Sequence, residues 1–185
     1  MIEKIKEEAK QKMEKSLSLL NQEFAKIRTG RATPALLDGV KVEYYDTLLP
    51  LNQIATISIP EPRLIVIQPW DKQALGAIEK AIYKADIGLT PNNDGNVIRL
   101  SLPPLTTERR EELVRLAQKL AEECRIAVRN IRRDANNELK KIEKEKKISE
   151  DDSFKAQEAI QKMTDEYIKK IDELLKKKEK EIREQ

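Results

Sequence analysis

Four arginines fall within nine residues of this chain, in Arg125-Ile-Ala-Val-Arg-Asn-Ile-Arg-Arg133. Every basic residue in that window is arginine, although lysine dominates elsewhere, and no acidic residue interrupts it. Guanidinium is a planar fork of donors that matches phosphate oxygens in pairs and stacks on bases, which an ammonium does not do. The chemistry on offer is recognition of a phosphate-rich partner. The other reading is a solvated face, because a long helix needs a charged exterior. Composition leaves both open.

Bond-breaking chemistry has little to work with. There is no histidine, which removes the usual general base and the commonest metal ligand. The single cysteine, Cys124, has no partner for a disulfide and no histidine to activate it, so it reads as a buried, inert thiol in a reducing compartment. No glycine-rich phosphate loop follows a strand. Most carboxylates stand at helix spacing beside Lys or Arg and read as solvated ion pairs. Asp71, next to Trp70, reads as a helix cap rather than an acid in an apolar niche. The expectation is a protein that is no enzyme and uses no metal or cofactor.

The elements that would position the arginines follow from periodicity. With Ile131 at zero on a helical wheel, Leu113, Leu116, Ala117, Leu120, Cys124, Ala127, Val128, Ala135, Glu138 and Ile142 lie within about 60° of it. Arg125, Arg129, Arg132, Arg133 and Asn136 occupy the far side, in an arc about 100° wide. This helix is expected to start after a Thr106 or Thr107 cap and run to about Lys147, some ~63 Å at 1.5 Å per residue. Residues 2–28 carry a second stripe: Ile2, Ile5, Ala9, Met13, Leu17, Leu20, Phe24 and Ile27. Thr29-Gly30 should close that helix, and Pro34 prevents its continuation. A third helix restarts at Ser149, with Glu150, Asp151 and Asp152 at its positive end and Ile160, Met163, Tyr167 and Ile171 on its stripe. Three striped helices predict an antiparallel three-helix bundle.

Between the first two helices the character changes. All eight prolines and four of the five glycines lie between Pro34 and Pro104. Strands are expected at 40–45, 54–59, 64–68 and 97–102, a helix at 72–85, and a turn at Asn92-Asn-Asp-Gly-Asn96. The fold class is therefore α+β: the bundle of residues 1–30 and 105–185, with a small β/α/β domain of residues 31–104 inserted. Two linkers, at Gly30–Pro34 and Pro103–Leu105, read as an interdomain hinge.

The formal net charge is only +3, but its distribution is uneven. Residues 106–147 hold 13 Lys/Arg against 9 Asp/Glu, while residues 148–185 hold 9 against 11. A local basic face can bind a polyanion on a nearly neutral protein. Phe24 and Phe154 are expected on core stripes, so platforms for stacking single-strand bases should be scarce. No recognition helix or dimer symmetry suggests reading a duplex by sequence. Backbone and shape recognition of folded RNA remains. A scaffold that binds protein partners is the reading from a different class. The absence of an apolar leader or of a ~20-residue apolar span predicts a cytoplasmic protein with no membrane partner. A monomer that binds no DNA is expected alongside.

Several runs carry a resemblance: Lys26-Ile-Arg-Thr-Gly-Arg-Ala-Thr-Pro34, Leu37-Asp-Gly39, Val42-Glu-Tyr-Tyr45, Pro103-Pro-Leu-Thr-Thr-Glu-Arg-Arg110, Ala127-Val-Arg-Asn-Ile-Arg-Arg-Asp-Ala-Asn136 and Ile148-Ser-Glu-Asp-Asp152. Over essentially its whole length the chain resembles the bacterial ribosome recycling factor family. Thr33 stands where the family often has Ser. The resemblance implies an L-shaped arrangement of bundle and inserted domain. It implies binding to the large subunit of the post-termination ribosome, across the sites for aminoacyl- and peptidyl-tRNA, with contact to ribosomal RNA. It also implies splitting of the subunits with elongation factor G and GTP, the factor itself being no GTPase. Carried over by position, Arg110, Arg129 and Arg132 are implied ribosomal-RNA contacts, with Arg28, Arg31 and Arg133 from the same motifs. Arg125 joins them from the arginine arc. Gly30, Arg31, Pro103 and Pro104 are implied hinge elements.

Overall fold

A computed structural model describes residues 1–184; Gln185, the last residue of the expected bundle segment, lies outside the described residues. The chain divides into two compact units, one of Met1–Thr29 with Thr107–Glu184 and one of Gly30–Thr106. The architecture is α+β.

The first unit is three long helices, α1 (Ile2–Lys26), α3 (Thr107–Lys144) and α4 (Glu150–Arg183). Helix α2 (Leu75–Ala85) belongs to the other unit. Antiparallel packing of α3 on α4 is fixed by cross-links at matching heights: Gln118 to Glu179, Arg125 to Asp172, Arg132 to Gln161. Helix α1 packs antiparallel to α3 as well, with Ile5 near Leu139 and Cys124 beside the carbonyl of Ser16. The shared core is aliphatic and small: Met13, Ala117, Ala121, Val128, Leu139, Ile160 and Ile171 are fully covered. Alanines on α3 let its neighbours approach closely, and each large aliphatic buried there contributes about 1.5–3 kcal/mol. Tyr167 is buried too, and both burial and a bond to Glu14 push its hydroxyl up to about 12.

Helix ends differ from expectation in two places. Helix α1 stops at Lys26, two residues early, because Ile27 turns to extended backbone (φ −73°, ψ 112°) while its side chain stays buried. Gly30 still takes the left-handed conformation (φ 76°), but beyond the helix rather than as its cap. Helix α3 ends at Lys144 instead of Lys147. Lys146 adopts φ 58°, and the Lys147 N–H returns to the Ile142 carbonyl, closing the helix with no glycine. Ser149 caps α4 as its spacing predicts, accepting from the Asp152 N–H.

The second unit holds a two-stranded hairpin, β1 (Lys41–Tyr44) and β2 (Thr47–Pro50), and a four-stranded antiparallel sheet. That sheet contains β3 (Ala55–Glu61), β4 (Leu64–Pro69), β5 (Pro91–Asn93) and β6 (Ile98–Ser101), in the order β3-β4-β6-β5. Ile65 and Ile67 of β4 pair with Leu100 and Ile98 of β6 and share one core with Ile78 and Ile82 of α2 (Leu75–Ala85). Asp71 accepts from the Gln73 N–H at the start of the 3-10 turn that leads into α2, as a cap should.

Strands β2 and β5 lack a sequence signal. Strand β5 is Pro91–Asn93, and its two asparagines fall in the expected turn. Only Asp94-Gly95 and their neighbours turn; Asn92 and Asn93 pair with Arg99 and Ile98 because β6 offers them an edge. Asp94 holds the turn by accepting from the Asn96 and Val97 N–H groups and from Arg99. Those bonds, led by the one from Val97, lower its carboxyl to about 2.

Candidate nucleic-acid interface

Helix α3 positions the arginines, but its buried face is not where the wheel placed it. Leu113, Val114, Ala117, Ala121, Cys124, Val128, Ala135, Leu139 and Ile142 are buried, while Leu116 is exposed and Ile131 is only partly covered. The covered face is centred about 50° from Ile131, toward the arginines. The reason is that two helices cover α3. Helix α1 takes the Cys124 side, and α4 takes the side from which Gln118, Arg125 and Arg132 reach it.

That rotation sorts the four arginines. Arg125 is drawn to the α4 border, with only 19% of its side chain exposed. Its Nε and Nη2 donate to Asp172 Oδ1 at 2.8 and 2.6 Å, and its Nη1 donates to Glu122 at 3.0 Å. Partial burial would lower its pKa, but the bonds to Asp172 and Glu122 outweigh it and the pKa is raised. Arg125 is a staple between helices. Arg132 is half committed. Its Nη1 donates to Gln161 at 2.5 Å, while its Nε and the Oδ1 of Asn136, one turn on, are buried without a hydrogen-bond partner. Arg129 is 47% exposed, with Glu122 at 3.6 Å. Arg133 is exposed and forms no ion pair among the described residues.

The arc that is free of acid in the window is therefore not free of acid in space. Glu122, one turn before Arg125, reaches back to it, and Asp172 arrives from α4. The i,i+3 pairing with Glu122 was legible from spacing; Asp172 was not.

The structure also adds two residues that the sequence pattern did not single out. Arg115 and Lys140 are exposed, form no ion pair among the described residues, and lie within about 40° of Arg129 and Arg133 around α3. Between Arg115 and Lys140, Glu122 is the one carboxylate on that arc; Glu108 and Glu111 share its angle nearer the helix start. From Arg129 to Lys140, about 17 Å of helix, the arc holds no carboxylate.

The remaining sequence-derived residues are not brought into this stripe. Arg110 is half-buried in the first turn of α3, about 28 Å along the axis from Arg129, at the same end of the bundle as exposed Arg28. Arg31 is exposed in the second unit. Gly30, Pro103 and Pro104 lie in the segments that join the units. Cys124 is buried, its thiol pushed up by burial against the opposing charge of Arg125. Among the described residues no group of acidic, Cys or His side chains is placed to hold a metal ion, and no helix is long and apolar enough to cross a membrane.

Fold and stripe define a class: a three-helix bundle, interrupted by a small unit of antiparallel sheet and one α-helix, whose middle helix shows solvent a one-sided row of cations. Comparison with known proteins narrows the class. The family model described as "Ribosome recycling factor" matches residues 20–182. The ribosome-recycling factor of Carboxydothermus hydrogenoformans is 63% identical over 182 residues, covering 98% of each chain. That of Bacillus licheniformis is 56% identical and covers 100% of each. A solution structure of a ribosome recycling factor matches with a TM-score of 0.75 at 48% identity, covering 100% of this chain and 98% of that one. A T. thermophilus ribosome recycling factor, described with E. coli elongation factor G bound to the E. coli post-termination complex, matches with a TM-score of 0.62 at 52% identity over 98% of each. The chain belongs to the ribosome recycling factor family.

Proposed function

We propose that this chain is the cytoplasmic, monomeric translation factor that splits post-termination ribosomes into subunits together with elongation factor G and GTP, and that it breaks no bond itself. It binds ribosomal RNA of the large subunit through the outward stripe of α3. Arg129 and Arg133 lead, Arg132 reaches out from the α4 border, and Arg115 and Lys140 extend the row. Arg28, Arg110 and Arg31 are secondary contacts, and Arg125 serves by holding α3 on α4.

The observation that carries this reading is the run from Arg129 to Lys140, cations without a carboxylate on their arc. It stands on a chain that aligns nearly end to end with named recycling factors. One relative's description places it with elongation factor G on the post-termination complex. Binding of such a row to RNA is driven by counterion release, so affinity falls steeply as salt rises. The rigid bundle beneath keeps the guanidinium groups in register, which lowers the entropy lost on docking.

We further propose domains of residues 1–30 with 105–185 and of residues 31–104, turning about Gly30, Arg31, Pro103 and Pro104. Support comes from the second unit alone. Just past Gly30, the Ala32 N–H donates to the Pro62 carbonyl; just before Pro103, the Leu102 N–H donates to the Arg63 carbonyl. Both crossings thus meet one turn, as a two-stranded hinge requires.

Subunit splitting measured with purified 70S ribosomes, elongation factor G and GTP tests the function. Splitting that needs this chain is expected, with its ribosome affinity falling across a salt series. No splitting, or salt-insensitive binding, overturns the reading.

A further inference from the structure

The tip of the β1–β2 hairpin is built in a way its fold does not need. Two residues, Tyr45 and Asp46, make the turn, and both lie in the left-handed region at φ 48° and φ 60°. A two-residue hairpin of this kind prefers Asn-Gly, and a bulky aromatic there is strained. Nor is Tyr45 held there by burial. It is 76% exposed, with its ring edge-on to Tyr44 at 4.4 Å between centroids. Leu48, paired across the hairpin with Glu43, is 66% exposed. Strained residues that persist without a packing reward tend to mark sites of use.

The base of the tip is rigid. The Tyr44 hydroxyl donates to Asp71 at 2.8 Å, and Asp71 in turn caps the turn leading into α2. The two charges nearest the tip are both negative, and the one cation of the hairpin, Lys41, stands at its far end. From Val42 to Leu51 the charged residues are Glu43 and Asp46 alone, with Asp71 beneath. An exposed aromatic face and an exposed leucine flanked by carboxylates repel phosphate. They suit a guanidinium or ammonium group, which stacks on the ring and pairs with the acids.

We infer that the hairpin tip is a docking site for a protein surface that presents Arg or Lys beside apolar side chains, with Tyr45 as the anchor and Leu48, Glu43 and Asp46 around it. The site is chemically opposite to the α3 stripe. One molecule therefore carries a cationic face for RNA and an anionic aromatic tip for protein. The ribosomal reading supplies the mixture in which the tip is tested, and pelleting separates the two claims.

Benzoylphenylalanine replaces Leu48 in the full chain, alone and with Tyr45→Asn and Asp46→Gly together. Each is irradiated with purified 70S ribosomes and elongation factor G, and adducts are sequenced by mass spectrometry. The expected adduct is a protein peptide containing Arg or Lys. The Asn-Gly chain should melt several degrees higher and lose at least tenfold of the adduct, yet still pellet with ribosomes. Adducts to RNA alone, no protein adduct, an adduct unchanged by Asn-Gly, or a lower melting temperature for that chain overturns the inference. Loss of pelleting by the parent chain overturns the ribosomal reading instead, and a protein adduct with elongation factor G would then still support the tip.

Discussion

Arg125 and Arg133 stand about two turns apart on one helix and carry the same group, yet they end in opposite states. Arg125 is clamped between Asp172 and Glu122 with little of it exposed; Arg133 faces water with no ion pair among the described residues. Arg132 and Arg129 repeat the contrast more weakly, one donating to Gln161, the other loosely near Glu122. About 80° of rotation separates the extremes. Residue type therefore does not decide whether an arginine is structure or site. What decides it is the distance around the helix to the neighbouring α4.

This contrast can be broken in stages. The largest effect should come from beneath it. Leu139→Ala opens a cavity in the core that α1, α3 and α4 share, and should cost about 2–5 kcal/mol in denaturant unfolding. Binding per folded molecule should hold, since no charge moves. Next, Arg129→Ala with Arg133→Ala should weaken ribosome binding by on the order of 1–3 kcal/mol per contact and lower the salt slope by about 2. Its unfolding midpoint should barely move. A stability loss equal to the binding loss would mean that these two are structural as well.

Arg132→Ala should register in both assays, at about 1 kcal/mol each, because one side of its guanidinium serves Gln161 and the other does not. Arg125→Ala and Asp172→Ala should show the reverse of Arg133. A double-mutant cycle on unfolding should return a coupling of about 0.2–1 kcal/mol, with ribosome affinity nearly unchanged. An affinity loss as large as that of Arg133 would erase the distinction.

The smallest effect lies in the second unit and depends on pH. Asp94 has its folded-state pKa lowered from the usual 3.8 to about 2 by bonds from Val97, Asn96 and Arg99. A depressed carboxylate contributes stability that is fully present above its unfolded pKa and is lost as pH falls through the folded one. The β5–β6 turn should loosen between about pH 4 and pH 2, seen as faster amide exchange at Asn96 and Val97 than acid catalysis alone gives. Asp94→Asn should remove that step. A turn equally protected at both ends of the window would refute the role of Asp94.

Much of the fold was legible because it rests on patterns a chain carries locally. The α1 stripe from Ile5 to Phe24 needs no partner to be seen, and the Ser149 and Asp71 caps are set by spacing. The misses share one cause. Strand β5 forms from Pro-Asn-Asn because β6 offers an edge, and β2 forms because a strained Tyr45-Asp46 turn folds it back on β1. Neither segment has its own alternating signal. For the site, the arginine row was legible as a cluster, while Arg115 and Lys140 escape notice in the sequence because they stand outside the dense window.

By itself the sequence determined the class of this protein. Period and caps dictate long helices, prolines and glycines confine the inserted unit to residues between them, and the absence of histidine and nucleotide loops directs attention from catalysis to binding. Tertiary structure alone decided which cations are available. A helical wheel knows the angles between side chains, but where zero lies is set by what packs on the helix. Two neighbours on α3 moved the covered face by about 50°, turned Arg125 into a staple, and left Arg129 and Arg133 to the solvent.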